Sequence, residues 1–203
     1  MRNILLFAFV CMIAFSGFSA PKAVKTIDNL KAGIKGETTA SAKYAAFAVK
    51  AREEGKAEIA KLFEATSKSE SIHAANHKKV LVGLGETMED FKPEFEVKTT
   101  AENLQAAIEG ETYEATTMYP QFLADAKAEN VEKATKSFTW AFDTEKKHAA
   151  FYQKALDALK ANTDNKLASE YAVCPVCGNT YEKAKMDDKC AFCQTPKEKF
   201  ILF

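Results

Sequence analysis

Four cysteines near the C-terminus carry the most specific spacing in the chain. Cys174 and Cys177 form one C-x2-C pair, Cys190 and Cys193 a second, and twelve residues separate the pairs. A two-residue gap lets a tight turn aim both sulfurs at one point, so two such pairs make a four-thiolate metal site. Two disulfides are the competing reading if the chain is exported. A second pattern is acidic. Glu70-Ser71-Ile72-His73 and Glu145-Lys146-Lys147-His148 repeat Glu-x-x-His, and Gly36-Glu37-Thr38 returns as Gly110-Glu111-Thr112. Residues three apart share a helix face. A carboxylate with an imidazole there suits a hard cation such as iron or manganese. One Glu-x-x-His arises by chance on many solvated faces; two copies in matched register with two more glutamates are a specific signal.

The elements that position these groups are helical. From Thr26 to about Ala161 the chain is rich in Ala, Lys and Glu and has few breakers. Gly55 separates one helical pair, Gly83 and Gly85 end the second helix, and Asn130 marks a second tight turn. Thr99 or Thr100, with Glu102 nearby, starts the third helix. Four helices are predicted, over 26–53, 57–83, 100–128 and 131–161, with a crossover at 84–98. Short turn, long crossover, short turn is the connectivity of a ferritin-like four-helix bundle. The halves repeat with an offset of 74 residues at Gly36 and 75 at Glu70, so the second half holds one extra residue. Glu37 to Tyr44 spans seven residues and Glu111 to Tyr119 spans eight, which predicts a π-bulge between Glu111 and Tyr119, just before Pro120.

Glutamate interrupts the apolar stripe of every helix. Helix two reads Ile59, Leu62, Phe63, Thr66, Glu70, His73, His77, Val80, Leu81; helix four reads Ala134, Phe138, Ala141, Glu145, His148, Tyr152, Ala155, Leu159. Glu37 and Glu111 stand in the other two stripes, with Glu114 beside Glu111. Glu37 is 18 residues before Gly55 and Glu70 is 15 after it. At ~1.5 Å per residue both lie about 22–27 Å from the turn. Glu111 and Glu145 stand in the same relation to Asn130. Buried carboxylates at one level, with no Lys or Arg in the stripes, require a bound cation.

Together, Gly36-Glu37, Glu70-x-x-His73, the stretch from Gly110-Glu111 through Glu114 to Tyr119-Pro120, Glu145-x-x-His148 and the cysteine tail resemble the rubrerythrin family over about residues 26–203. The resemblance implies that Glu37, Glu70, Glu111, Glu114, Glu145 and His148 ligate a di-iron site, that Glu70 and Glu145 bridge it, and that His73 exchanges with Glu114 on one iron as the redox state changes. Tyr44 and Tyr119 match hydrogen-bond donors close to the site. The tail, with Cys174-Pro175-Val176-Cys177-Gly178 and Cys190-Ala191-Phe192-Cys193, resembles rubredoxin and implies one iron, though the same spacing holds structural zinc. The implied activity is reduction of hydrogen peroxide to water in oxidative-stress protection, with the tail iron returning electrons one at a time from an electron-donor protein. Glu114, His73, Tyr44 and Tyr119 are the expected catalytic groups. A homodimer, head to tail, with one subunit's tail beside the other's carboxylates, is the expected assembly. A ferroxidase and a non-enzymatic protein with a zinc tail are the competing functions.

Charges balance at 28 against 28, which argues against a nucleic-acid surface. Residues 1–20 differ from the rest: Arg2, an apolar run from Ile4 to Phe15, then small residues including Ser16, Gly17, Ser19 and Ala20. This is the layout of a signal peptide, with an uncleaved anchor as the alternative. The expected organisation is a signal peptide at 1–20, a di-iron bundle at 21–165 and a rubredoxin-like domain at 171–203. The mature protein is then exported, to a periplasmic space, and free of the membrane. His77, one turn beyond His73, is expected to be a satisfied core or rim histidine and not a ligand, and Trp140 a packing aromatic in the bundle core.

Overall fold

The computed structural model describes residues 23–203, so the expected signal segment lies outside the described residues. Helix α1 spans Val24–Glu53 and α2 spans Ala57–Gly83. An irregular crossover leads to α3 at Thr100–Tyr113, a π-helical turn at Glu114–Met118, and α4 at Tyr119–Ala128, which together form one continuous rod. Helix α5 spans Glu132–Lys160. Among the described residues no helix is long and apolar enough to cross a membrane.

Local chemistry explains the boundaries. Gly55 sits at φ +72°, its N–H bonds to the Arg52 carbonyl, and Lys56 N–H bonds to Ala51; a left-handed residue closes α1 and turns the chain into α2. Asn130, at φ +57°, closes α4 with the same pair of bonds. Thr99 caps α3 reciprocally with Glu102. The π turn falls where the repeat offset predicts it. Tyr119 N–H reaches the Glu114 carbonyl five residues back, and Pro120, which has no N–H, follows. The extra residue makes the eight-residue step from Glu111 to Tyr119 behave like the seven-residue step from Glu37 to Tyr44, close to two full turns. Both tyrosines therefore face inward and are buried.

The bundle core divides in two. One cluster contains Tyr44, Phe47, Phe63, Leu104, Tyr152 and Leu156; the other contains Ile27, Leu30, Leu81, Phe122 and Phe138. Each helix crosses from one cluster to the other at its glutamate: Ile34 and Ala40 flank Glu37, and Ala141 and Tyr152 flank Glu145. The carboxylates occupy a polar layer sealed by apolar side chains on both sides.

Residues 171–203 form a small sheet, β1 (Tyr171–Val173), β2 (Thr180–Glu182) and β3 (Ile201–Leu202), antiparallel in the order β2-β1-β3. This domain lies on α2 and α5 of its own bundle. Lys56 pairs with Asp164 at 3.3 Å and Lys61 donates to the Ser169 carbonyl at 2.6 Å, fastening the connecting segment back along α2. The head-to-tail expectation is therefore not needed to bring the tail to the carboxylates: the short connection folds the chain's own tail there. Trp140 also differs from expectation. It packs against the cysteine cluster and not into the bundle core.

Candidate metal centres

Four helices deliver six carboxylate and imidazole side chains to one layer. Glu37 comes from α1, Glu70 and His73 from α2, Glu111 from α3, and Glu145 and His148 from α5; all are at most 1% exposed. Their donor atoms gather into two overlapping groups, each within 4.8 Å: Glu37, Glu70, His73 and Glu145 in one, Glu70, Glu111, Glu145 and His148 in the other. The shared members are Glu70 and Glu145. One Glu70 oxygen lies 2.9 Å from His73 Nδ1 and the other 2.9 Å from His148 Nδ1; the two Glu145 oxygens do the same. Glu37 approaches only His73, at 3.9 Å, and Glu111 only His148, at 3.7 Å. Glu70 and Glu145, shared by both groups, and Glu37 and Glu111, each in one, would hold a pair of cations.

The electrostatics demand those cations. Burial, with the Glu114 and Glu70 charges, pushes the Glu37 carboxyl well above its ordinary range, and burial with Glu70 and Glu37 does the same to Glu145. Burial also opposes ionisation of Glu70, but the two imidazoles outweigh it and hold Glu70 down at about 2. Glu37 Oε2, both oxygens of Glu70 and Glu145, Glu111 Oε2 and His148 Nδ1 have no hydrogen-bond partner. Polar atoms left this way in a sealed layer cost several kcal/mol unless a metal binds them. The all-oxygen and imidazole donor set fits iron or manganese.

Glu114 stands apart from both groups. It is the first residue of the π turn, and an added Cβ at Gly36 would lie 3.9 Å from its Oε1. Burial and the charges of Glu111 and Glu70 push its carboxyl well up, with Lys43 pulling the other way. In this structure His73 completes the first group where Glu114 was expected. Tyr44 donates to Glu111 Oε1 at 2.7 Å, and Tyr119 donates to Glu37 Oε1. Each expected tyrosine therefore holds one terminal carboxylate.

The four cysteines form the second centre. They are reduced, with Cys174 Sγ 3.4 Å from Cys193 Sγ and Cys177 Sγ 3.4 Å from Cys190 Sγ. Two matching knuckles aim them inward: Gly178 N–H bonds to the Cys174 carbonyl and Gln194 N–H to the Cys190 carbonyl, with Gly178 at φ +83° and Gln194 at φ +62°. Tyr181 Oη lies 3.6 Å from Cys190 Sγ and Thr195 Oγ1 lies 3.1 Å from Cys193 Sγ, contacts of the kind that tune a thiolate centre.

The two centres meet. Gly178 presses against His73: an added Cβ there would lie 2.4 Å from His73 Nε2. Ser69 donates to the Gly178 carbonyl at 2.6 Å, and Thr180 Oγ1 lies 2.9 Å from His148 Nε2. Thr180 and Ser69 were not singled out from sequence. Their partners lie more than 30 residues away, and no local pattern announces such a contact; the Gly that follows Cys177 was the one visible hint.

Comparison with known proteins agrees with this geometry. The Rubrerythrin family profile matches residues 28–156. The chain is 38% identical over 187 residues to nigerythrin of Nitratidesulfovibrio vulgaris, covering 88% of this chain and 86% of that protein. It is 34% identical to Rubrerythrin-2 of Clostridium acetobutylicum, covering 90% and 98%. A mixed-valence structure of nigerythrin superposes with a TM-score of 0.79 at 33% identity, covering all of both chains. A carboxylate–histidine di-iron layer in a ferritin-like bundle, with a four-cysteine site beside it, places this chain in the rubrerythrin family.

Proposed function

We propose that the protein reduces hydrogen peroxide to water, taking electrons from a donor protein through the four-cysteine centre. The observation that carries this reading is the seam between the two centres. Gly178 and Thr180, within one turn of Cys177, touch His73 and His148. A ferroxidase that passes electrons outward to oxygen has no need of an electron-entry domain lodged against its ligands.

The residues divide the work. Glu37, Glu70, Glu111, Glu145, His73 and His148 would hold two irons, and Cys174, Cys177, Cys190 and Cys193 a third. A reduced iron pair supplies two electrons to one O–O bond. Tyr44 and Tyr119 fix the terminal carboxylates by hydrogen bonds. The apolar clusters above and below keep bulk water out of the layer. Glu114, beside the ligands without joining them, is free to exchange with His73. The layout of residues 1–20 supports export of the protein, and membership of the family supports a homodimer.

The deciding experiment is steady-state peroxide consumption with a reduced donor, set against iron(II) oxidation alone. Turnover of peroxide without net iron(II) consumption supports the reading; oxidation of added iron(II) without donor-dependent peroxide turnover would refute it. Glu114→Ala should slow turnover strongly in a folded bundle. Cys190→Ser should spare a single round by pre-reduced protein and stop the second.

A further inference from the structure

His77 lies one helical turn beyond His73, is fully buried, and is used by nothing described so far. Both ring nitrogens are engaged. Nδ1 lies 2.7 Å from Ser137 Oγ and Nε2 lies 2.9 Å from Tyr119 Oη. Tyr119 in turn donates to Glu37 Oε1. At the other end, Ser137 is 5% exposed and lines an open cleft of about 490 Å³ between α2, α5 and the Cys174–Cys177 loop, walled by Lys79, Lys136, Trp140 and Val176. An unbroken line of hydrogen bonds thus joins solvent to a carboxylate of the metal layer.

The line has a direction. Ionised as a metal ligand, the Glu37 carboxylate can only accept, so the single Tyr119 proton points at it. Tyr119 Oη must then accept from His77 Nε2–H. Burial pushes His77 down to about 3, so the ring is neutral and carries one proton, already placed on Nε2. Nδ1 is left as an acceptor, and Ser137 O–H must donate to it. Every donor points inward, from cleft to carboxylate.

We infer that Ser137, His77 and Tyr119 form a proton relay that carries solvent protons from the cleft to Glu37 during peroxide reduction. The inference rests on the proposed function for its reaction. Reduction of one peroxide breaks the O–O bond and takes two electrons, supplied by the reduced metal pair, and two protons, supplied by solvent; two waters form. For each proton, Ser137 gives its hydrogen to His77 Nδ1, Nε2–H passes to Tyr119, the Tyr119 proton passes to Glu37, and Glu37 releases it to an oxygen of the breaking O–O bond, while water restores the Ser137 hydroxyl. The ring and hydroxyls must then reorient before the next proton moves. Gly33 puts no side chain against the ring, where a Cβ would lie 3.1 Å from His77 Cδ2. Ser137 and His77 act through Tyr119 and do not touch the reacting atoms.

Two measurements test the relay. In full-length protein loaded with diamagnetic zinc in place of iron, at neutral pH, side-chain nitrogen NMR should show His77 as the neutral Nε2–H tautomer, with Ser137→Ala shifting the Nδ1 signal alone. An Nδ1–H tautomer or a charged ring overturns the relay. In iron-loaded, pre-reduced protein at saturating peroxide, Ser137→Ala and His77→Phe should slow reduction roughly ten- to hundredfold and enlarge the solvent deuterium isotope effect, with iron content unchanged. Wild-type rates and isotope effects in Ser137→Ala, the smaller change, overturn the relay even if His77→Phe folds poorly. A wild-type protein inert towards peroxide defeats the proposed function instead, and the tautomer then decides whether the directed chain exists.

Discussion

Replacing Gly178 by Ala tests how tightly the two centres are joined. The residue sits at φ +83°, where a side chain costs about 1–2 kcal/mol. The new methyl would also meet His73 Nε2 at 2.4 Å, His73 Cδ2 at 2.6 Å and the Ser69 carbonyl at 3.2 Å. These are a ligand ring and a helix backbone, neither free to swing aside, so overpacking adds about 1–3 kcal/mol. The alternative is for the cysteine domain to lift off. That breaks the bonds from Ser69 to Gly178, Asn76 to the Val176 carbonyl, Lys147 to Asn179 and between His148 and Thr180. At about 0.5–1.5 kcal/mol each, the four sum to about 2–6 kcal/mol. Strain and undocking are comparable, so the variant loses about 2–5 kcal/mol by either route. In a chain of this size that lowers Tm by roughly 4–20 °C. Stopped-flow mixing with a reduced donor should show the thiolate iron reduced at the normal rate and the carboxylate irons reduced more slowly. An unchanged Tm together with an unchanged second phase would show that the seam does not exist in solution.

Metal-free protein should lose stability as pH rises from about 5 to 8. Burial raises Glu37, Glu145 and Glu114 above their ordinary value of 4.5, and the neighbouring carboxylates raise His148 and His73 above 6.5 despite burial. The folded apoprotein therefore holds more protons than the unfolded chain across that window, and stability falls with pH. Glu70, held at about 2, contributes the opposite slope only below about pH 4.5. Iron-loaded protein should not show the decline, because metal replaces the protons; thermal melts with and without chelator check this. Tyr44→Phe leaves Glu111 Oε1 buried without its donor and should cost about 1–3 kcal/mol in denaturant titrations of the apoprotein, with weaker retention of the second iron. Thr180→Val removes the Oγ1 contact to His148 Nε2 and should slow electron entry without altering the spectrum of the thiolate centre.

Helices, turns and ligands were legible because each rests on a local rule. A left-handed Gly55 or Asn130, a Thr99–Glu102 cap, and a glutamate in an apolar stripe are read from neighbours a few residues away. The π turn was legible because the internal repeat supplied its own ruler. The seam was not legible: Ser69 meets Gly178 and His148 meets Thr180 through tertiary docking, which no spacing encodes. His77 was read correctly as a satisfied buried histidine, but its two partners come from α4 and α5, so the directed line through it required coordinates. Trp140 was misplaced because an aromatic on α5 fits the bundle core as well as the groove beneath the cysteine domain.

The carboxylate layer fits a pair of iron ions, beside a third held by thiolates. Elemental analysis of purified full-length protein, with Glu70→Ala alongside, tests it most directly. About three irons per chain in the wild type, falling to about one in Glu70→Ala, follow from the two groups that share Glu70 and the separate thiolate cluster. A wild-type chain with one metal or none, or a Glu70→Ala chain that keeps all three, would contradict it.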